Sequence, residues 1–152
     1  MQQKTAARIH ALEIPIRGMS LLIPSASIAE VANVPELASI PLSPAWVLGT
    51  IGWRTLAVPV VSFEVLMGAH AVAPAPASKA IVFYPLGGRR EWEFFAILSA
   101  SEPRPQAVDP GIAIAATAAD LPDSPYVAAG LKVGDKLMLI PDFAALKKVF
   151  YP

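Results

Sequence analysis

The chain contains no cysteine, which removes disulfides, thiol nucleophiles and thiolate metal sites together. Charge is scarce as well. Asp, Glu, Lys and Arg make up 16% of the 152 residues, where ordinary domains carry about 25%. Twelve basic side chains balance twelve acidic ones, for a net charge of +0 with His neutral. A protein that grips nucleic acid by its phosphates needs a basic excess or stripe, and here the only adjacent basic pairs are Arg89-Arg90 and Lys147-Lys148. A hydrophobic run of membrane-spanning length is also missing. The longest uncharged stretch, Leu37–Trp53, is broken by Pro41, Pro44, Gly49 and Gly52, whereas a spanning helix needs about 20 mostly apolar residues. Met1-Gln2-Gln3-Lys4 leads into Arg8, His10 and Glu13, not into the apolar core of a signal peptide. The expectation is a cytoplasmic chain with no direct membrane insertion.

Catalytic signatures are absent too. There is no G-x-G-x-x-G or G-x-x-x-x-G-K-[ST] phosphate loop and no G-x-S-x-G elbow. The two histidines, His10 and His70, are too far apart for a helical metal pair. The expectation is therefore a protein that is not an enzyme, with no catalytic residue, no metal and no cofactor.

What the chain does have is apolar side chains and proline. Hydrophobic residues are 55% of the total and sixteen residues are Pro, about twice the usual share of about 5%. Proline lacks a backbone donor and stops helices, so long helices are excluded nearly everywhere. The apolar runs are short and rich in Val, Ile and aromatics, which suits half-buried strands. Strands are predicted over Ile9–Ile16, Met19–Ile23, Leu56–Val61, Lys79–Tyr84, Trp92–Leu98 and Lys136–Ile140, with hairpin corners at Arg17-Gly18 and Gly87-Gly88. Ser27-Ile28-Ala29-Glu30 has the spacing of a capping box, with Glu30 as the reciprocal cap, and Asp142 is placed to cap a helix over Phe143–Phe150. Trp46 reads as a core residue.

Two segments echo each other 80 positions apart. Leu56–Leu66 and Lys136–Leu146 each run from an apolar strand to a Ser or Asp cap, then Phe, then Leu three residues on. Either two ordinary strand-to-helix junctions coincide, or the chain holds two similar small β subdomains. Between them, Ala69–Ser78 is uncharged and stiffened by Pro74 and Pro76, as a linker would be. The expected organisation is a flexible tail over 1–7, then one domain over 8–152. Within it, subdomain one spans about 8–68, the linker about 69–78 and subdomain two about 79–152.

The first half carries a more specific pattern. Ile28-Ala29-Glu30-Val31 is followed by the Pro-containing segment Ile40–Gly49, then by Thr50-Ile51-Gly52-Trp53-Arg54-Thr55 and the strand Leu56–Val61. This resembles the CheW-like coupling proteins of bacterial chemosensory systems, over about Arg8 to Phe150. Gly52, Thr55 and Ser62 stand where the family has Asn, Gly and Asp, which marks a divergent member. The resemblance implies two tandem five-stranded, SH3-like β barrels with short helices. It also implies an adaptor that joins the cytoplasmic tip of methyl-accepting chemoreceptors to the regulatory domain of a CheA-like histidine kinase. The setting would be chemotaxis or type IV pilus motility, with recruitment to membrane-associated receptor arrays. The partner-binding residues implied are Ile28, Trp53 and Arg54; taken alone, Arg54 reads as a solvated turn residue and Ile28 as core. The alternative from another class is a small-ligand sensor in which one barrel keeps an internal pocket.

Overall fold

The computed structural model describes residues 9–109 and 114–152; the tail expected over 1–7 lies outside the described residues. Eleven strands and two helices follow in order: β1 (Ile9–Ile16), β2 (Met19–Pro24), β3 (Ile28–Asn33), β4 (Val47–Trp53), β5 (Leu56–Val61), α1 (Phe63–Leu66), β6 (Lys79–Phe83), β7 (Phe95–Leu98), β8 (Arg104–Val108), β9 (Ile114–Ala115), β10 (Val127–Val133), β11 (Lys136–Pro141) and α2 (Phe143–Phe150). They form two sheets. A middle sheet has the order β3-β6-β7-β5-β4, and a terminal sheet, built from both ends of the chain, has the order β8-β1-β2-β11-β10-β9. The architecture is mainly β with two short helices, as the sequence led us to expect.

The sheets do not divide at residues 69–78. The β1–β2 hairpin pairs with β8 and, in parallel, with β11, so the N-terminal strands belong with the C-terminal ones. Ala69–Ser78 leads from α1 into β6, and both its flanking strands, β5 and β6, lie in the middle sheet. It is a loop within one unit, and the split into 8–68 and 79–152 does not follow the strand pairing. The physical reason is exchange of hairpins. β6–β7 fills in the middle sheet the place that β1–β2 fills in the terminal sheet.

The 80-residue echo is structural. Val47 pairs with Val61 and Gly49 with Val60 across a bulge; Val127 pairs with Pro141 and Ala129 with Ile140 across another. The Ser62 amide donates to the Trp46 carbonyl at 2.8 Å, as the Asp142 amide does to Tyr126 at 2.8 Å. Each barrel closes alike. The Ala38 amide donates to the Thr50 carbonyl at 3.0 Å, and the Ala116 amide to the Gly130 carbonyl at 2.9 Å. Gly49 permits the first closure, because a Cβ there would sit 2.7 Å from the Ala38 carbonyl oxygen.

Strands buried on both faces read as continuous apolar runs, and β6 shows why. Ala80 and Val82 point into the middle barrel with Ile51, Trp53, Val58, Val60 and Ala96. Ile81 and Phe83 point the other way, into a core shared by the two sheets. That shared core joins Ile14, Ile16, Leu21 and Ile23 of the terminal sheet to Phe95 and Ile97, and is closed by Phe63 of α1 and Leu146 of α2. A third cluster, Ala11, Leu22, Val108 and Met138, fills the terminal barrel. One buried carboxylate sits among these strands. Glu13 is 2% exposed and accepts from Ser20, Gln106 and Lys136, each at 2.8 Å.

Ile9–Ile16, Leu56–Val61 and Phe143–Phe150 fall where expected, and the Asp142 side chain caps α2 by accepting from the Ala145 amide. The capping box at Ser27–Glu30 is not a helix start. A single 3-10 turn over Ser25–Ser27 ends at Ile28, and Ile28–Asn33 pairs with β6 as a strand. Branched Ile28 and Val31 favour that extended form, and the edge of β6 offers it partners. The strand expected from Trp92 begins at Phe95, since Arg89 and Glu93 close a loop on themselves through two hydrogen bonds of 2.7 and 3.2 Å.

Candidate partner-binding site

The β4–β5 hairpin ends in the ladder pair Trp53–Leu56, which leaves Arg54 and Thr55 as a two-residue turn. Both have positive φ, 45° and 65°. This is the backbone of a primed turn, which matches strand twist but normally takes Asn and Gly. The turn thrusts Arg54 outward while Trp53 stays buried. The Trp53 ring packs on Phe94 at 4.8 Å, and Phe94 lies 6.0 Å from Tyr84, which is exposed.

Glu30 links the two expected site residues. One carboxylate oxygen accepts from the Trp53 indole N–H at 3.2 Å, and the other accepts from the Arg54 guanidinium at 3.5 Å. The guanidinium carbon also lies 4.4 Å from the Trp53 ring centroid. Glu30 therefore serves as the acceptor of this cluster, not as a helix cap. The Arg54 and Glu30 side chains are 61% and 44% exposed, so the pair contributes at most about 1 kcal/mol to folding. Its effect is on position. Stacked on Trp53 and held at one end by Glu30, the guanidinium keeps its other N–H donors free for a partner.

Ile28 stands apart. It opens β3 opposite Phe83 and packs against the shared core, whereas Trp53 lies in the middle-barrel cluster. The structure thus brings together Trp53 and Arg54, adds Glu30 and Phe94, and sets Ile28 two residues along β3. Sequence reasoning missed Phe94 and the role of Glu30. The available signal was the branched residues flanking Glu30, which argue against a helix there. Trp46, expected in the core, is half-buried, with its ring 5.4 Å from Phe150.

Among the described residues no three His, Cys, Asp or Glu side chains gather where they could hold a metal ion. His10 and His70 are both exposed. Among the described residues no helix is long and apolar enough to cross a membrane.

The sequence pattern of the CheW-like domain matches residues 10–149. The chain belongs to the CheW-like family. Curated proteins give no match. Among solved structures, the scaffolding protein TtCheW from Thermoanaerobacter tengcongensis superposes with a TM-score of 0.74 at 15% identity, over 93% of this chain and 89% of that one. At that identity the likeness is one of fold: two SH3-like subdomains. The family assigns the chain to the scaffolds of chemotaxis signalling, which are adaptors and not enzymes.

Proposed function

We propose that this protein is a cytoplasmic, non-catalytic adaptor that holds the cytoplasmic tip of a chemoreceptor and the regulatory domain of a CheA-like histidine kinase in fixed relation, in chemotaxis or pilus motility. The observation that carries the reading is the cluster at the tip of the β4–β5 hairpin. There a guanidinium is presented to solvent on a buried indole and steered by Glu30. Arg is favoured at interfaces for such stacking and hydrogen bonding. Weak contacts of this size become effective when many copies engage an array together. Among the described residues, buried apolar side chains pack together in each barrel, which favours the adaptor over the ligand sensor.

Arg54→Glu tests the proposal. Losing an exposed ion pair and placing a second carboxylate beside Glu30 should cost about 1 kcal/mol, so the melting temperature should fall by only about 2–4 °C. Reversing the charge beside Glu30 should weaken receptor-tip affinity by about 2–5 kcal/mol. Kinase-domain affinity should persist. A large fall in melting temperature, or unchanged affinity for a proven receptor partner, would remove Arg54 from the site.

A further inference from the structure

Leu42 is fully exposed and has a φ of 61°. It occupies the third position of the turn Ile40-Pro41-Leu42-Ser43, closed by a Ser43 amide to Ile40 carbonyl bond of 3.4 Å. Positive φ at that position normally calls for Gly or Asn. A leucine there is disfavoured twice over, once by its backbone and once by its exposure. Outliers of this kind motivate a search for function nearby.

Beside it lies a hole. Ile40 and Ser43, which flank the turn tip, form one wall of an apolar cavity of about 170 Å³ whose other walls include Trp46, Val47, Pro59 and Phe150. The Ser43 hydroxyl is already committed to the Ile40 carbonyl at 2.8 Å, so this wall offers little to a polar ligand. An apolar cavity of about 150 Å³ accommodates a six-carbon ring, so this one has room for a leucine side chain. Knob and hole therefore sit on one face of one chain.

We infer that this face binds a second copy of the chain, with Leu42 of each protomer seated in the cavity of the other. A two-fold contact requires a surface that is its own complement, which is what an adjacent knob and hole provide. Charge agrees. The stretch Leu37–Trp53 carries no charged residue, and at the cavity's Tyr151 side the bordering Arg89 is neutralised by its ion pair with Glu93, so two copies meet without like-charge repulsion. The contact is small beside the standard interface of about 1,600 Å², so the dimer is transient and depends on concentration.

Sedimentation equilibrium on the full chain tests this, with melting temperature measured alongside. The wild type should pair as concentration rises. Leu42→Asp should weaken pairing about a hundredfold, since each dimer loses two buried leucines, and leave the melting temperature unchanged. Leu42→Gly should also stay monomeric, yet melt higher, because glycine accepts the positive φ; this separates docking from folding. Ile40→Asp, on the hole's wall, should lose self-association as well. Mixed with Leu42→Asp, it should pair more tightly than either variant does alone, since one intact knob then meets one intact hole. A wild type that stays monomeric overturns the inference, as does a Leu42→Asp variant that pairs normally or a mixture with no gain. If Leu42→Asp instead weakens binding to a kinase or receptor domain while the wild type stays monomeric, the face belongs to that partner and the second-copy contact falls.

Discussion

Thr55 carries a cost that its neighbours do not relieve. It holds φ at 65° with a branched side chain, and left-handed backbone costs an L-residue about 1–2 kcal/mol. The equivalent turn of the terminal barrel, between Val133 and Lys136, places Gly134, at 61°, at the first turn position, where this turn has Arg54. Thr55→Gly should therefore stabilise the protein by about 1 kcal/mol, read as a rise of about 2–4 °C in melting temperature; a fall would mean that the threonine side chain has a use the structure does not display. Glu13 makes a different kind of contribution. Burial pushes its carboxyl up, but hydrogen bonds from Lys136, Ser20 and Gln106 outweigh that and hold it below the ordinary value of 4.5. A depressed carboxyl contributes its stability in full above the ordinary value and loses it as pH falls through the folded one. Glu13→Gln should cost about 1–2 kcal/mol at neutral pH, and the gap to wild type should narrow on acidification. Parallel melting-temperature curves from pH 7 to pH 3 would exclude the carboxylate as a titrating contributor.

The two helices begin in equivalent places with different caps, and their surroundings explain the difference. The Ser62 hydroxyl accepts from the Val65 amide at 3.2 Å and donates to Glu64 at 3.3 Å. Glu64 in turn holds Arg17 of the β1–β2 turn. An aspartate at 62 would still cap α1, but it could not donate, and it would set two carboxylates together in a buried site. Ser62→Asp should destabilise by about 1–3 kcal/mol, while Asp142→Ser, where no acid follows, should change stability by less than about half a kcal/mol. Urea midpoints would show the contrast; equal effects would refute it. What was legible in the sequence follows the same division between local and distant causes. β1, β5 and α2 were readable because their apolar pattern and cap are written in consecutive residues. β4 and β10 escaped notice, since glycine and alanine dilute their apolar signal. β3 is not legible locally, because Ser27 and Glu30 mimic a cap whose outcome depends on β6, some fifty residues away. In the site, Arg54 was visible as a lone charge in an apolar turn, but its tie to Glu30 depends on barrel closure.

At the scale of the molecule, the exchange of hairpins makes two barrels into one cooperative body. The shared core draws side chains from both sheets and both helices, so neither half of the chain encloses it. Expressed separately, residues 1–68 and 79–152 should each remain unfolded, because one half lacks β6 and β7 and the other lacks β1 and β2. Mixed together, they should recover β-sheet circular dichroism and a cooperative melt. Independent folding of either half would show that strand pairing across the chain is dispensable.

Sheet membership also has a direction in time. Every strand of the middle sheet falls within residues 28–98, whereas the terminal sheet needs both β1–β2 and β11. During synthesis the β1–β2 hairpin emerges before the middle sheet yet pairs after it, since the parallel pairing of Leu21 with Leu139 must wait until β11 has been made. The middle barrel can assemble meanwhile, as domains completed early in translation do. Until the ribosome releases the C-terminal strands, the hairpin has an open edge at β2, and the newborn chain relies on the finished barrel to shelter the apolar face of that hairpin.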